Sequence, residues 1–227
     1  MTIRGAMIFL AAVFCLLGSG PAAAGRFYVQ AHGGVTSLNL DDVNDAVDGV
    51  NAEVGTEAMD HLRWGPEAGL AVGYVLSREL GLGLGYARLF AASEISQDGY
   101  LVSFDLPADL FEITLDYLPD NDQKVRVGVG ADLGLVRSAG SLRTVDPSLG
   151  DRTDSFDGLG FLFAGYAILD GKLSATLSLF GEGGFRHAII SQLEVDGDTV
   201  YNPDSVDDKL RFNYSGFFLR AGIRFRP

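Results

Sequence analysis

The last segment of the chain, residues 217–225, imposes the strongest constraint on what the chain can fold into. Its side chains alternate between an apolar set and a set that contains arginine and glycine. Successive side chains of a β-strand point to opposite faces, so this segment meets two different environments. The alternation predicts a strand with lipid on one side and a polar interior on the other. The apolar set is Phe217, Leu219, Ala221, Ile223 and Phe225; the opposite set is Phe218, Arg220, Gly222 and Arg224.

The first 24 residues predict export. They combine one early cation, Arg4, with an apolar run over residues 6–17 and a small-residue stretch that ends in three alanines. This arrangement is typical of a cleaved signal peptide, and the run is shorter than the roughly 20 residues of a transmembrane helix. Cys15, the single cysteine of the chain, lies inside that run. We therefore expect a signal peptide over residues 1–24 and one domain over residues 25–227 that has no disulfide.

Eight segments are predicted as strands, the last one included, and all but the sixth alternate in this way. In residues 80–87, for example, four bulky side chains alternate with three glycines and an alanine. Small and charged residues on one face suit the crowded interior of a narrow barrel, and bulky apolar residues on the other suit lipid. Only the sixth segment is apolar on both faces, so its facing stays open. The segments are residues 26–35, 67–76, 80–87, 111–117, 124–136, 158–169, 173–182 and 217–225.

The connections between these segments alternate between long and short. Short turns are predicted at residues 77–79, at 119–122 and at Asp170-Gly171. Long connections are predicted at residues 36–63, at 88–110 with a hairpin at 97–99 and a break at Pro107, at 137–157 and at 187–210. An even number of strands with short turns at one end is typical of outer-membrane barrels. We predict an all-β fold, an eight-stranded antiparallel up-and-down transmembrane β-barrel with short periplasmic turns and long extracellular loops.

In these segments, and above all in the final one, the chain resembles the small eight-stranded outer-membrane barrels, the group of the outer membrane protein A barrel, the opacity proteins and the outer membrane protein W type. The resemblance implies a monomer in the cell outer membrane, in contact with outer-membrane lipid and lipopolysaccharide. It also implies that the barrel assembly machinery reads the final strand. The implied assembly signal is Phe217, Leu219, Gly222, Ile223 and Phe225, and two residues, Arg226 and Pro227, follow its last aromatic.

Charged residues on the predicted inward faces are the candidate site. The interior of an eight-stranded barrel is just wide enough to be filled by side chains, so we predict ion pairs across a filled lumen. Arg220 and Arg224 are expected to pair with carboxylates of other strands. The alternative is a gated path for ions or small solutes, including hydrophobic ones, lined by the same charges. The set is Glu67, Glu112, Asp116, Arg126, Asp132, Glu182, Arg220 and Arg224.

The sequence favours a structural or surface-interaction role without enzymatic activity. A lipid-modifying hydrolase needs a nucleophile, a base and an orienting acid within reach of one another. The lipid A deacylase pattern places histidine and serine two positions apart on one strand face. Here His187 and Ser191 are four apart, and Gly34 stands two residues after His32. The competing fold, a soluble lipocalin-like barrel, needs an apolar interior that glycine and charge build poorly.

The acidic charge of the chain gathers in its connections. The chain has 30 acidic against 17 basic residues and a formal net charge of −13, which disfavours a nucleic-acid partner. The acidic stretches at residues 41–48 and 204–208 lack the spacing of a calcium loop, so neither a metal nor a cofactor is expected. Apolar residues at helical spacing predict an amphipathic helix over residues 40–54. We expect its apolar face to cap the barrel mouth, with the membrane interface or a partner as alternatives.

Overall fold

The computed structural model describes residues 27–54, 59–97, 100–119, 123–146, 150–190, 193–195, 198–199 and 211–227. The predicted signal peptide and the acidic stretch 204–208 lie outside the described residues. Within the described part of the chain, no helix is long and apolar enough to cross a membrane.

Strands account for most of the described chain, and one helix is found among the described residues. The helix is α1 (Asp41–Val54). The strands are β1 (Phe27–Ser37), β2 (Trp64–Val75), β3 (Leu80–Leu89), β4 (Ala92–Gln97), β5 (Tyr100–Asp105), β6 (Ala108–Tyr117), β7 (Val125–Asp146), β8 (Gly150–Lys172), β9 (Leu177–Ile190), β10 (Leu193–Val195), β11 (Asp198–Thr199), β12 (Phe212–Asn213) and β13 (Gly216–Phe225).

Eight of these strands close into a ring of antiparallel neighbours. The order is β1, β2, β3, β6, β7, β8, β9 and β13, and β13 pairs again with β1. The closing ladder runs from the pair Val29 and Phe225 to the pair Thr36 and Phe218. Closure leaves no free sheet edge along the ring, which is the requirement for strands in lipid. The predicted eight-stranded up-and-down barrel is confirmed.

The outer surface of the ring is apolar. Phe161 is 78% exposed, Phe217 is 69% exposed and Leu133 is 65% exposed, all on outward faces. An apolar band of this extent suits lipid rather than water. The sixth predicted segment, now β8, shows its facing clearly, because Phe161 and Phe163 point outward while Leu162 and Ile168 are buried inside. A lipocalin-like arrangement, with the apolar face inside, is therefore excluded.

The predicted polar loop at residues 137–157 is wrong, because β7 and β8 continue through it as a paired hairpin. Ion pairs cross this hairpin between Arg137 and Asp157 and, over 2.8 Å, between Arg143 and Asp151. The hydrogen bond from Arg143 lowers the pKa of the Asp151 carboxyl. Outside the lipid layer the outward face of a strand meets water and no longer carries apolar residues, so the apolar alternation is lost. On the inward face, Leu142 and Phe156 pack against the buried apolar cluster. This loss of alternation made the extension look like a loop.

The third short turn lies at residues 173–176 rather than at Asp170-Gly171. β8 continues to Lys172, and the Ser174 hydroxyl accepts hydrogen bonds from the backbone N–H groups of Thr176 and Leu177 in the turn. Asp170 instead points into the lumen, where Arg126 donates to its carboxylate over 3.0 Å. The predicted start of the seventh strand therefore moves from residue 173 to residue 177. The same strand, β9, runs to Ile190, so His187 lies in a strand and not in a connection.

Residues 38–63 and 88–110, where the structure describes them, fold over one mouth of the barrel. The predicted helix is present as α1, and Leu40, Val43 and Val47 are buried against the ring. Strands β4 and β5 form a hairpin that pairs with the extension of β7, and Pro107 follows it as the predicted break. The apolar cap, as we name this cluster, joins the helix and the hairpin to inward residues of the ring. It includes Leu40, Val43, Val47, Leu89, Ile95, Phe104, Leu110, Val136, Leu162, Ile190, Phe212 and Tyr214.

Candidate functional site

The eight predicted luminal charges all lie inside the barrel. Strand alternation on β2, β6, β7, β9 and β13 places them there, and each residue is at most 8% exposed. We name them, together with the further buried charges described below, the luminal charge network. Two arginines of the last strand, Arg220 and Arg224, organise this network into two groups.

The first group surrounds Arg220 in the middle of the lumen. Its guanidinium pairs with Glu67 through Nε and donates from Nη2 to Glu112 over 3.0 Å. A second arginine, Arg186, donates to both oxygens of Glu67 over 2.9 and 3.3 Å. The Phe218 ring lies beneath both guanidinium groups, at 4.6 Å from Arg220 and 5.1 Å from Arg186. Hydrogen bonds between ionised groups are the strongest kind, so this group ties several strands together.

The second group surrounds Arg224, nearer the short turns. Arg224 donates to Gln30 over 2.9 Å, to Asp116 over 2.9 Å and to Asp170 over 3.4 Å. Arg126 donates to the other oxygen of Asp170 over 3.0 Å.

The Tyr166 hydroxyl connects the two groups. Its oxygen lies 3.1 Å from Asp116 and 2.9 Å from Asp132, so its proton serves one of the two carboxylates at a time. Asp132 in turn lies 3.6 Å from Arg220. The Tyr166 ring also packs edge-on against Phe218 at 5.9 Å. One aromatic side chain therefore fixes the spacing of two carboxylates that belong to different groups.

Carboxylates outnumber arginines in the network. Among the described residues, six carboxylates and four arginines are buried in the lumen. Buried charge is tolerated when it is paired, and each of the four arginines contacts at least one carboxylate. Side chains therefore fill this level of the barrel with ion pairs. The buried charges are Glu67, Glu112, Asp116, Asp132, Asp170, Glu182, Arg126, Arg186, Arg220 and Arg224.

Three members of this site were not in the predicted set of luminal charges. Arg186 lies on the same inward face as Glu182, four residues further along β9. The prediction missed Arg186 because it ended the seventh strand at residue 182. Asp170 was hidden because an Asp-Gly pair reads as a turn. His32 faces Glu67, with 3.9 Å between its Nε2 and the carboxylate, and neither ring nitrogen has a hydrogen-bond partner among the described residues.

His187 meets a serine, but not the one that the sequence analysis considered. Its Nδ1 lies 3.4 Å from the Oγ of Ser215, and its ring packs on Phe163 at 4.9 Å. Ser191 lies outside the described residues. The Oγ of Ser215 also accepts the backbone N–H of Ala188 over 3.0 Å. No carboxylate in the described ranges is bonded to His187, and an orienting acid of this kind is what a catalytic histidine base requires.

The described ranges hold no group of three or more histidine, cysteine, aspartate or glutamate side chains arranged to bind a metal ion.

The five residues of the implied assembly signal lie on the closing strand. Phe217, Leu219, Ile223 and Phe225 point outward and are 47–69% exposed. Gly222 points inward, and a Cβ there would lie 2.0 Å from the carbonyl oxygen of Ala31, so no larger residue fits.

Solved structures share this architecture. No family model matches the sequence, and no curated protein matches it. A major outer membrane protein of Thermus thermophilus is 16% identical, with a TM-score of 0.55 over 89% of this chain and 99% of that chain. Ail, the attachment invasion locus protein of Yersinia pestis, is 11% identical, with a TM-score of 0.51 over 88% and 99%. OprG of Pseudomonas aeruginosa is 11% identical, with a TM-score of 0.50 over 90% and 97%.

At identities this low, the likeness shows the fold alone. The chain has the architecture of the small outer-membrane β-barrels, with the short turns at one end of the ring and the apolar cap at the other.

Proposed function

We propose that this protein is a closed barrel of the outer membrane with a structural or surface-interaction role. The observation that supports the proposal most strongly is that the lumen is blocked at two levels. The luminal charge network fills its middle, and the apolar cap with α1 covers its extracellular end. A permeating ion would have to displace paired arginines and then cross an apolar layer, and both steps are costly.

The extracellular side offers the surface for such a role. Strands β4 and β5, the extensions of β7 and β8, and the short strands β10 and β11 form one sheet that continues above the ring. A continuous backbone ladder joins the two strands of its central hairpin as far as Asp146 and Gly150, so the hairpin is a paired platform rather than a loose loop. Ail of Yersinia pestis was solved with the heparin analogue sucrose octasulfate, so a barrel of this fold contacts a ligand in that protein.

We also propose how the chain reaches the outer membrane. The signal peptide over residues 1–24 exports the chain, and the assembly machinery reads the outward residues of β13. The barrel then resides as a monomer among lipid and lipopolysaccharide. The exposed apolar belt supports this location. Washing membranes with carbonate tests it: the protein stays in the pellet, and its release without detergent would contradict the proposal.

Planar-bilayer recording on the refolded mature chain tests the closed lumen. We expect no conductance steps, with a known porin in the same bilayers as the positive control. The second candidate is a small gated channel, which a cavity at the periplasmic mouth favours because Arg126 and Arg224 line it. A channel predicts steps whose size or ion selectivity changes in Arg126→Gln or Glu182→Gln. Such steps would overturn the closed barrel.

We propose in addition that the barrel has no lipid-hydrolase activity. The contact of His187 and Ser215 lacks an orienting carboxylate among the described residues, which supports this. Mass spectra of lipid A from cells that overproduce the protein test it. We expect spectra identical to those of cells with an empty vector. A new lipid A species that disappears in Ser215→Ala would contradict the proposal.

A further inference from the structure

We propose that the periplasmic mouth of the barrel is a binding site for a small oxyanion with more than one negative charge, of the phosphate-ester class. The site is a cavity of about 380 Å³, which we name the vestibule. It is separate from the closed extracellular end, so it does not depend on the proposed surface role.

Side chains of the short turns and of the lowest luminal residues build the vestibule. The turn that contains Ser77 forms one wall, and the turn after Lys172 forms another. Arg126 and Arg224 line it from inside the lumen. A cavity of this volume lies at the lower end of the range for small-molecule sites.

The charge of the vestibule is opposite to that of the chain. The whole chain carries −13, but the residues that line the vestibule include five cations and two carboxylates. One of these carboxylates, Asp116, is already engaged by Arg224 over 2.9 Å. Asp170, just outside the lining, contacts Arg126, Arg224 and Arg226, so five cations stand against three carboxylates. A concave site with an excess of one sign of charge concentrates the opposite ion, so the vestibule attracts anions. The five cations are Arg78, Arg126, Lys172, Arg224 and Arg226, and the carboxylates are Glu79 and Asp116.

One buried hydrogen-bond donor of a residue that lines the vestibule has no acceptor in the described part of the protein. Arg126 donates from Nη2 to Asp170, but its buried Nε has no hydrogen-bond partner among the described residues. A guanidinium offers five donors in a planar fork that fits phosphate oxygens. This Nε is closed to the vestibule in the structure, so a shift of the Arg126 side chain, which lines the vestibule, is needed for an oxyanion to accept from it and remove the cost of an unmet donor. The exposed ammonium of Lys172 lies at the same cavity and adds a mobile charge.

The ligand binds in the vestibule and does not pass through it. The next level of the lumen holds Glu182, which lies 4.0 Å from Arg224 and belongs to a network in which carboxylates outnumber arginines. That level repels an anion that would move further into the lumen. The vestibule is therefore a dead-end site that is filled from the periplasm or from the inner leaflet. Soluble phosphate esters and phospholipid headgroups share the required phosphate chemistry.

Calorimetric titration of the refolded barrel in an uncharged detergent with inorganic pyrophosphate tests the proposal. We expect saturable binding that weakens by about tenfold in Lys172→Gln combined with Arg226→Gln. Arg143→Gln, which removes one cation from the extracellular hairpin, leaves the affinity unchanged. Lys172→Gln alone is expected to give an intermediate loss of affinity. Because Lys172 is exposed, this variant keeps the heat-modifiable gel mobility of the folded barrel. Absence of saturable binding in the wild type, or equal losses in Lys172→Gln and Arg143→Gln, would overturn the site.

A second arm identifies the source of the ligand. The same titration is made in nanodiscs of phosphatidylcholine and of phosphatidylglycerol. If a headgroup occupies the vestibule, phosphatidylglycerol weakens pyrophosphate binding in the wild type and not in the Lys172 and Arg226 double variant. Equal affinity in both lipids supports a soluble phosphate ester. Bilayer conductance is a separate measurement, so failure of the closed-barrel proposal and failure of this site are distinguishable.

Discussion

Arg186 of β9 donates two hydrogen bonds to Glu67 of β2, over 2.9 and 3.3 Å, although these strands are not neighbours in the ring. Both side chains are completely buried. Thr36 of the intervening β1 donates to the same carboxylate over 2.9 Å. The carboxylate thus joins strands that no shared backbone ladder connects, and it helps to fix the cross-section of the barrel.

Glu67→Gln is expected to lower the free energy of unfolding by about 3–5 kcal/mol, because it leaves the buried charges of Arg186 and Arg220 without their shared partner. Urea titration of the refolded barrel measures this, with Trp64, the single tryptophan, as the fluorescent probe. Trp64 lies three residues away on the same strand.

Two further variants separate charge pairing from general damage. Adding Arg186→Met to Glu67→Gln is expected to recover part of the loss, since removing both partners leaves one unpaired charge fewer. Arg143→Gln breaks an exposed pair and is expected to change stability very little. If Glu67→Gln costs no more than Arg143→Gln, the network does not stabilise the barrel.

The strands and most of the luminal charges could be predicted because the information is local. Alternation alone reveals which side of a strand a residue takes, so Arg220 and Arg224 were placed inside without any knowledge of their neighbours. The even count of eight strands then predicted a closed barrel. That Arg220 pairs with carboxylates of other strands followed from the narrowness of the barrel rather than from any motif. Only the structure identifies these carboxylates as Glu67 and Glu112.

The features that sequence analysis missed depend on tertiary context. Asp170 has the sequence of a turn, but three arginines bind its carboxylate inside the lumen. The extension of β7 and β8 carries no apolar alternation because its outward face lies beyond the lipid. The partner of His187 is 28 residues away, at Ser215, and only the pairing of β9 with the region before β13 brings them together.

Val47→Asp is expected to loosen the apolar cap. Val47 is fully buried, and an unpaired carboxylate in an apolar environment costs several kcal/mol. Proteinase K digestion of intact cells is expected to cleave residues 38–63 much faster than in the wild type, while the ring stays intact. Ala46→Asp is the matched control, since Ala46 is exposed on the same helix. Equal cleavage of the two variants would show that Val47 does not hold the helix.

Gly134→Ala is expected to destabilise the barrel by about 1–3 kcal/mol through overpacking. A Cβ at Gly134 would lie 1.9 Å from the carbonyl oxygen of Phe111, which is backbone of the paired strand and cannot move aside. Gly165 has no atom within 4 Å of such a Cβ, so Gly165→Ala is expected to stay within about 0.5 kcal/mol of the wild type. Urea unfolding compares the two. Similar losses would mean that interior crowding does not require glycine at residue 134.

The carboxyl of Asp151 is expected to titrate at a lower pH than an ordinary aspartate, because Arg143 donates to it over 2.8 Å. A lowered pKa means that the contact contributes above the ordinary aspartate pKa of about 3.9 and is lost as the pH falls through the lower value. Carbon-13 NMR titration measures this pKa. In Arg143→Gln it is expected to return to the ordinary value, and an unchanged pKa in that variant would assign the shift to another group.

Phe225→Ala is expected to reduce the amount of folded barrel in the outer membrane several-fold, because Phe225 is the last aromatic of the strand that the assembly machinery is proposed to read. Phe161→Ala is the matched control: Phe161 also faces outward, and it is more exposed, 78% against 47%. The folded fraction is measured by heat-modifiable gel mobility of isolated membranes. Refolding into detergent needs no machinery, so both variants are expected to refold there with similar yields. A defect of Phe225→Ala in detergent as well would assign its effect to barrel stability and not to recognition.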